Sequence, residues 1–236
     1  MSEIYMVRHG QASFGKDNYD VLSDRGIQQS EILGQYLVNL GINFDAVYTG
    51  SLDRQKKSAE IVLEVYRKNG VTIPDPLVDD RFNEYDTRKI IETQLDEMLD
   101  EEPSLREHLP TFFTSRKSFQ LIFERAMGRW VSGRHRPVGI ESWAQFQARV
   151  AGALKGVMGN HVEKARSVIF ASGGSISASV QYATGLSGAE TINLSWQMVN
   201  TAVTRFRYNR DRLSLQSFNC YPHLELAGDG ELITYR

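Results

Sequence analysis

The most pointed chemistry in the chain lies near its start, where the apolar run Ile4-Tyr5-Met6-Val7 stops abruptly at Arg8-His9-Gly10. A short buried strand over residues 4–8 would deliver an imidazole and a guanidinium to its mouth, under a glycine turn. Such a histidine can attack phosphorus while an arginine holds the phosphoryl oxygens. Attack requires one free ring nitrogen, so the ring must be neutral, and the charge of Arg8 lowers its pKa in that direction. The other nitrogen keeps its proton most simply by donating to a backbone carbonyl of the loop.

Two more segments carry matching groups. Ser51-Leu52-Asp53-Arg54 follows the strand-like Ala46-Val47-Tyr48 and puts Arg54 in the first turn of a helix. A cation is unfavourable beside the positive end of a helix dipole unless an anion offsets it. Arg8 and Arg54 together supply forked donors for a phosphoryl dianion, with helix amides beside them. Ser172-Gly173-Gly174-Ser175 follows the apolar run from Ser167 to Ala171, and Ser172 and Gly173 join the phosphate-binding set. A leaving alkoxide needs a proton, and Glu84, in Asp79-Asp80-Arg81-Phe82-Asn83-Glu84-Tyr85, is the candidate general acid. Its pKa would have to be raised, by burial against Phe82 or Tyr85 for example. The same run would also serve as a solvated loop, and both arginines as surface ion-pair partners.

The elements that must position these groups are legible in outline. Ser23 can cap a helix with Ile27, Ile32, Leu33, Tyr36, Leu37 and Leu40 on one face, ended by Gly41. Ser51 can cap the next, with Ala59, Val62 and Tyr66 at helical spacing and Asn69-Gly70 closing it. Two prolines leave Val71 to Val78 at best a short or edge strand. Residues 86–138 are charged, lack glycine before Gly128 and contain helical patches at 90–99 and 119–127, which predicts a helical insertion outside the sheet. Ser142 and Gln145 form a capping box for a helix carrying Trp143, Phe146, Val150, Leu154 and Val157. The helix after Ser172 should end near Gly185, and two late strands, a candidate hairpin, fall at 199–206 and 213–218. The alternation predicts an α/β fold, a three-layer arrangement with a mostly parallel sheet flanked by helices, in one domain over residues 1–236. Such sheets bind ligands at the carboxyl ends of their strands, where all three segments fall.

Composition narrows the classes. A chain of 236 residues with 41% hydrophobic and 24% charged residues can bury a sizeable core. A net charge of −2 gives no global attraction to nucleic acid or membrane, so any anion binding must be local. The single cysteine, Cys220, cannot form an internal disulfide. With no signal-peptide pattern and no apolar run of membrane-spanning length, the expected compartment is the cytoplasm.

Taken in order, these segments resemble the histidine phosphatase superfamily, also called phosphoglycerate mutase-like. The resemblance runs through Arg8-His9-Gly10, then Leu22 to Gln29, Ser51-Leu52-Asp53-Arg54 with Ser58-Ala59-Glu60, and Glu84. It continues through Glu141-Ser142 with Arg149, Ser172-Gly173-Gly174 and His223-Leu224. It implies that His9 becomes a phosphohistidine, that Arg8 and Arg54 bind the phosphoryl group, and that Glu84 serves as acid and base. No metal or organic cofactor is implied. The implied partner is a small-molecule phosphate ester, and the oligomeric state is open, a homodimer included.

Two departures qualify the resemblance. The family usually has a histidine before the paired glycines, donating to the phosphoryl oxygens; here the residue is Ser172. That exchange should slow chemistry unless Asn200, His135 or a cation of the insertion replaces the donor. Glycolytic mutases carry a substrate-holding serine and asparagine where this chain has Ala12 and Gly15. The insertion's Arg116, Lys117, Arg125, Arg129, Arg134, His135 and Arg136 would favour a substrate with further negative charge if some project over the pocket. The leading expectation is therefore a phosphomonoesterase working through phospho-His9. The rivals are a phosphate-binding pseudophosphatase with a regulatory role and, more weakly, a phosphoglycerate mutase.

Overall fold

A computed structural model describes residues 1–13, 20–112, 114–135, 138–160, 164–210 and 212–235, without the side chain of Arg116. The first strand, β1 (Ser2–Arg8), buries both faces: Ile4 and Met6 enter one core cluster, Tyr5 and Val7 the other. This two-sided burial is why the run reads as continuously apolar rather than alternating. Helix α1 (Asp24–Asn39) is capped by the Ser23 hydroxyl, which accepts from the Gly26 amide, and Gly41 follows it in the left-handed region at φ 63°. Leu33 and Leu37 are buried as expected, but Leu40 points to solvent at 55% exposure because it lies past the last helical turn.

The chain continues through β2 (Ala46–Thr49), α2 (Asp53–Lys68) and the two-residue edge strand β3 (Leu77–Val78). The predicted helical segment follows as α3 (Thr87–Glu92), α4 (Leu95–Glu101), a 3-10 turn at Pro103–Thr111 and α5 (Arg116–Ser132). The patch at 90–99 is split in two rather than continuous. The buried Gln94 side chain, at the break, donates to the carbonyls of Ile90 and of Ala126 in α5, tying the end of α3 to the neighbouring helix. Its apolar residues, among them Ile90, Met98, Ile122 and Trp130, pack in the same core cluster as Ile4, Met6 and Ile169 of the sheet.

Then come α6 (Trp143–Asn160), opened by the reciprocal Ser142–Gln145 bonds, β4 (Arg166–Ala171), α7 (Gly173–Thr184) and α8 (Gly188–Ser195). The chain closes with β5 (Val203–Tyr208), β6 (Leu213–Cys220) and α9 (Pro222–Ala227). The sheet order is β3-β2-β4-β1-β5-β6. Strands β3, β2, β4 and β1 pair in parallel, while β5 runs against both β1 and β6, giving the expected hairpin. Helices α1 and α2 pack on one face; α6, α7 and the insertion pack on the other, making three layers. Among the described residues no helix is long and apolar enough to cross a membrane.

Candidate active site

Strand order decides what meets at the carboxyl ends. β4 lies between β1 and β2, in register Arg8↔Ala171 and Thr49↔Phe170. The segments after these strands therefore emerge side by side, with Ser172 in the middle, His9 to one side and the start of α2 to the other. The helix after β1 lies on one face and the helix after β4 on the other. A crevice opens where consecutive helices diverge in this way.

His9 is held by its backbone before its ring does anything. Its amide donates to Ala171 O at 3.0 Å, and its carbonyl accepts from Asn200 Nδ2 at 3.1 Å. The ring Nδ1 lies 2.7 Å from Gly10 O. A carbonyl only accepts, so Nδ1 carries the proton and Nε2 keeps its lone pair. Arg54 Nε donates to that Nε2 at 3.2 Å. The ring's pKa is held well below its ordinary value, first by burial and then by the charges of Arg54 and Arg8. The neutral tautomer that attack requires is thus built in, and by desolvation more than by the Arg8 charge.

Both arginines point into the crevice's interior. Arg8, His9 and Arg54 are 9%, 3% and 8% exposed, so neither guanidinium is a free surface charge. Arg8 donates through Nη1 to Met198 O. Arg54 Nη1 pairs with Asp20 Oδ1 at 2.7 Å. The expected Ser51 cap is absent: α2 is preceded by Leu52, and the Ser51 hydroxyl accepts from Asn83 Nδ2 instead. The first amides of α2 are taken by Asp20, whose carboxylate accepts from Asp53 N at 2.8 Å and Arg54 N at 3.4 Å. This carboxylate, distant in sequence, supplies the anion that the positive helix terminus and Arg54 both call for.

Glu84 arrives on a loop fixed from behind. Arg149 Nη1 donates to Arg81 O and Asn83 O at 2.9 and 3.1 Å, while its other nitrogens grip Glu141. The Glu84 carboxylate accepts from the amides of Gly174 at 2.9 Å and Tyr85 at 3.2 Å. Burial nevertheless raises its pKa above the ordinary carboxylate value, outweighing those amides and the charges of Arg54 and Arg8. Gly174 must lack a side chain here: a Cβ would lie 2.1 Å from Glu84 Oε1 and 2.4 Å from the Tyr85 ring.

Ser172 is buried at the N-terminus of α7 without capping its own helix. Its Oγ accepts from Gln55 Nε2 at 2.9 Å. The next residue, Gly173, opens the helix and approaches Arg8 Nε, to which a Cβ there would stand 3.9 Å away. Several of the proposed replacements for the missing histidine are already engaged by protein groups. Asn200 serves the His9 backbone and Thr234, and His135 lies against Arg129 and Glu97. Arg125 and Arg129 likewise bind the insertion's own Glu102, Glu97 and Glu101. Gly15 and Arg136, and the side chain of Arg116, lie outside the described residues. Asp20, Gln55, Asn200 and Arg149 are site-building residues whose roles sequence reasoning did not assign. Among the described residues no group of histidine, cysteine and acidic side chains is arranged to hold a metal.

Comparison with known proteins gives the chain's family and fold. The sequence profile of the histidine phosphatase superfamily (branch 1) matches residues 4–108 and 83–221, and the chain belongs to that family. It is similar to a 2,3-bisphosphoglycerate-dependent phosphoglycerate mutase of Azorhizobium caulinodans, 31% identical over 85 residues, covering 33% of this chain and 41% of that relative. The chain thus matches well under half the length of that curated relative. Its fold is shared by a phosphoserine phosphatase variant of Entamoeba histolytica crystallised with phosphoserine, with TM-score 0.67, 18% identity and coverage of 95% and 100% of the two chains. It is shared also by a mycobacterial glucosyl-3-phosphoglycerate phosphatase, with TM-score 0.61, 18% identity and coverage of 92% and 98%.

Proposed function

We propose that the chain is a phosphomonoesterase that acts through a phosphohistidine at His9 on a small phosphorylated substrate. The observation that carries this reading is the His9 ring itself, with Nδ1 on Gly10 O and Nε2 facing Arg54. The Nε2 lone pair attacks phosphorus, and the P–O bond to the leaving group breaks. Glu84 gives its proton to the departing oxygen, which its raised pKa equips it to do. Water then attacks the phosphohistidine, Glu84 takes the water's proton, and the P–N electron pair returns to Nε2. Arg8 and Arg54 hold the equatorial oxygens throughout, with the positive N-terminal end of α7 beside them.

The test is hydrolysis of an aryl phosphate together with acid-labile labelling of the protein by a phosphoryl donor. Both should vanish in His9→Ala, and activity surviving that substitution would refute the assignment. Ser172 favours one rival, a phosphate-binding protein with little turnover. A large gain in turnover in Ser172→His would support the rival; no gain would mark the natural pocket as complete.

A further inference from the structure

Gln55 lies in the first turn of α2, fully buried, and its amide is spent inside the site rather than on the helix surface. Nε2 donates to Phe82 O at 3.2 Å and to Ser172 Oγ at 2.9 Å, while Oε1 accepts from Leu52 N at 3.4 Å. The Phe82 carbonyl cannot donate, so the atom facing it must be the nitrogen, which settles the amide's orientation. Both amide hydrogens are then used. The Ser172 oxygen is the acceptor in its bond with Gln55, and its own hydrogen must go elsewhere. Among the described residues no hydrogen bond takes that hydrogen, although the side chain is 1% exposed. An O–H left unused in a buried place is costly, and an anion held at the strand ends beside His9 would accept it. The place is built around the amide: a Cβ on Gly50 would stand 2.0 Å from Gln55 Oε1.

We propose that Gln55 is a positioning residue that holds Ser172 Oγ as an acceptor and so commits the Ser172 O–H to a phosphoryl oxygen at His9. The proposal rests on the phosphate-binding reading above and adds to it a neutral, non-titrating donor pair. The hydroxyl supplies the contact; the amide fixes its direction.

The experiment is a double-mutant cycle on orthovanadate affinity, measured by calorimetry on wild type, Ser172→Ala, the near-isosteric Gln55→Met and the double variant. Ser172→Ala should weaken binding roughly tenfold to a hundredfold, the range for a hydrogen bond to a charged group. Gln55→Met should weaken it by about tenfold alone and by nothing further in the Ser172→Ala background. The wild-type to Ser172→Ala ratio should stay constant between about pH 6 and 8, since neither group titrates there. Additive losses, or a Ser172→Ala protein that binds as tightly as wild type, would overturn the donor pair while leaving the phosphate site standing. Wild-type protein that binds no orthovanadate would overturn both. Should Gln55→Met fail to fold, Gln55→Leu takes its place in the cycle with the same expectations.

Discussion

Arg54 Nε stands 3.2 Å from His9 Nε2, the nitrogen proposed to carry the phosphoryl group. The guanidinium therefore does two things: it keeps the lone pair oriented, and it occupies the position an incoming phosphoryl oxygen must share. Lysine could keep the charge but not the fork that reaches His9 and Asp20 together. Arg54→Lys is expected to lower kcat/KM for an aryl phosphate on the order of 10²–10³-fold. A steady-state comparison at saturating and limiting substrate checks this.

Asp20 holds the other end of that guanidinium and the first amides of α2, the same donors a phosphate would recruit. Asp20→Asn preserves a capping oxygen but removes the negative charge. Inorganic phosphate should then inhibit several-fold more strongly, read as a fall in its competitive inhibition constant. Weaker inhibition would show that the carboxylate's main service is to orient Arg54.

The pH profile should reflect two opposed shifts. His9, with its pKa lowered, stays neutral and nucleophilic well below its ordinary value, so the acid limb is displaced downward. Glu84, with its pKa raised, keeps its proton above the ordinary carboxylate range, and activity declines as pH rises through that raised value. In Glu84→Gln the alkaline limb should disappear and the leaving-group dependence should steepen, which a series of aryl phosphates of graded acidity measures.

Gly174→Ala should displace Glu84 or Tyr85, since the added carbon has no room beside either. The expected cost is about 1–3 kcal/mol of stability, with a fall in kcat for poor leaving groups. Gly173→Ala meets only ordinary contacts, the nearest at 3.8 Å, so its melting temperature should hold near that of the wild type.

His223 is buried, with Nε2 3.0 Å from Thr201 Oγ1 and, among the described residues, no hydrogen-bond partner for Nδ1, and burial pushes its pKa down to about 4. The folded chain keeps this ring neutral while the unfolded chain protonates it below about 6.5. Stability from this group is therefore fully present above that value and lost as pH falls toward 4, by on the order of 3 kcal/mol. Urea midpoints at neutral and acidic pH test it, and the loss should shrink in His223→Gln.

What the sequence disclosed follows from range. Arg8, His9 and Glu84 announce themselves because apolar runs, prolines and glycines punctuate the chain locally, and the Ser142–Gln145 box is a four-residue signal. The Ser51 cap was misplaced because the true capping carboxylate, Asp20, is 33 residues away, and no local pattern encodes it. Gln55 reads as one more polar residue on an amphipathic helix; only the proximity of β4 to α2 turns it inward. The exposed Leu40 shows the opposite failure, an apolar period that runs one residue beyond the turn it belongs to.

The central position of β4 has a consequence for synthesis. Strands β1 and β2, which lead into the proposed nucleophile and its arginine, do not pair with each other; each pairs with β4. Until Arg166–Ala171 has left the ribosome and slotted between them, the sheet lacks the strand that sets their register, and contacts such as the Gly10 amide on Ser58 Oγ must act without it. A chain that stops short of β4 therefore lacks the strand that sets the proposed nucleophile and its arginine in register.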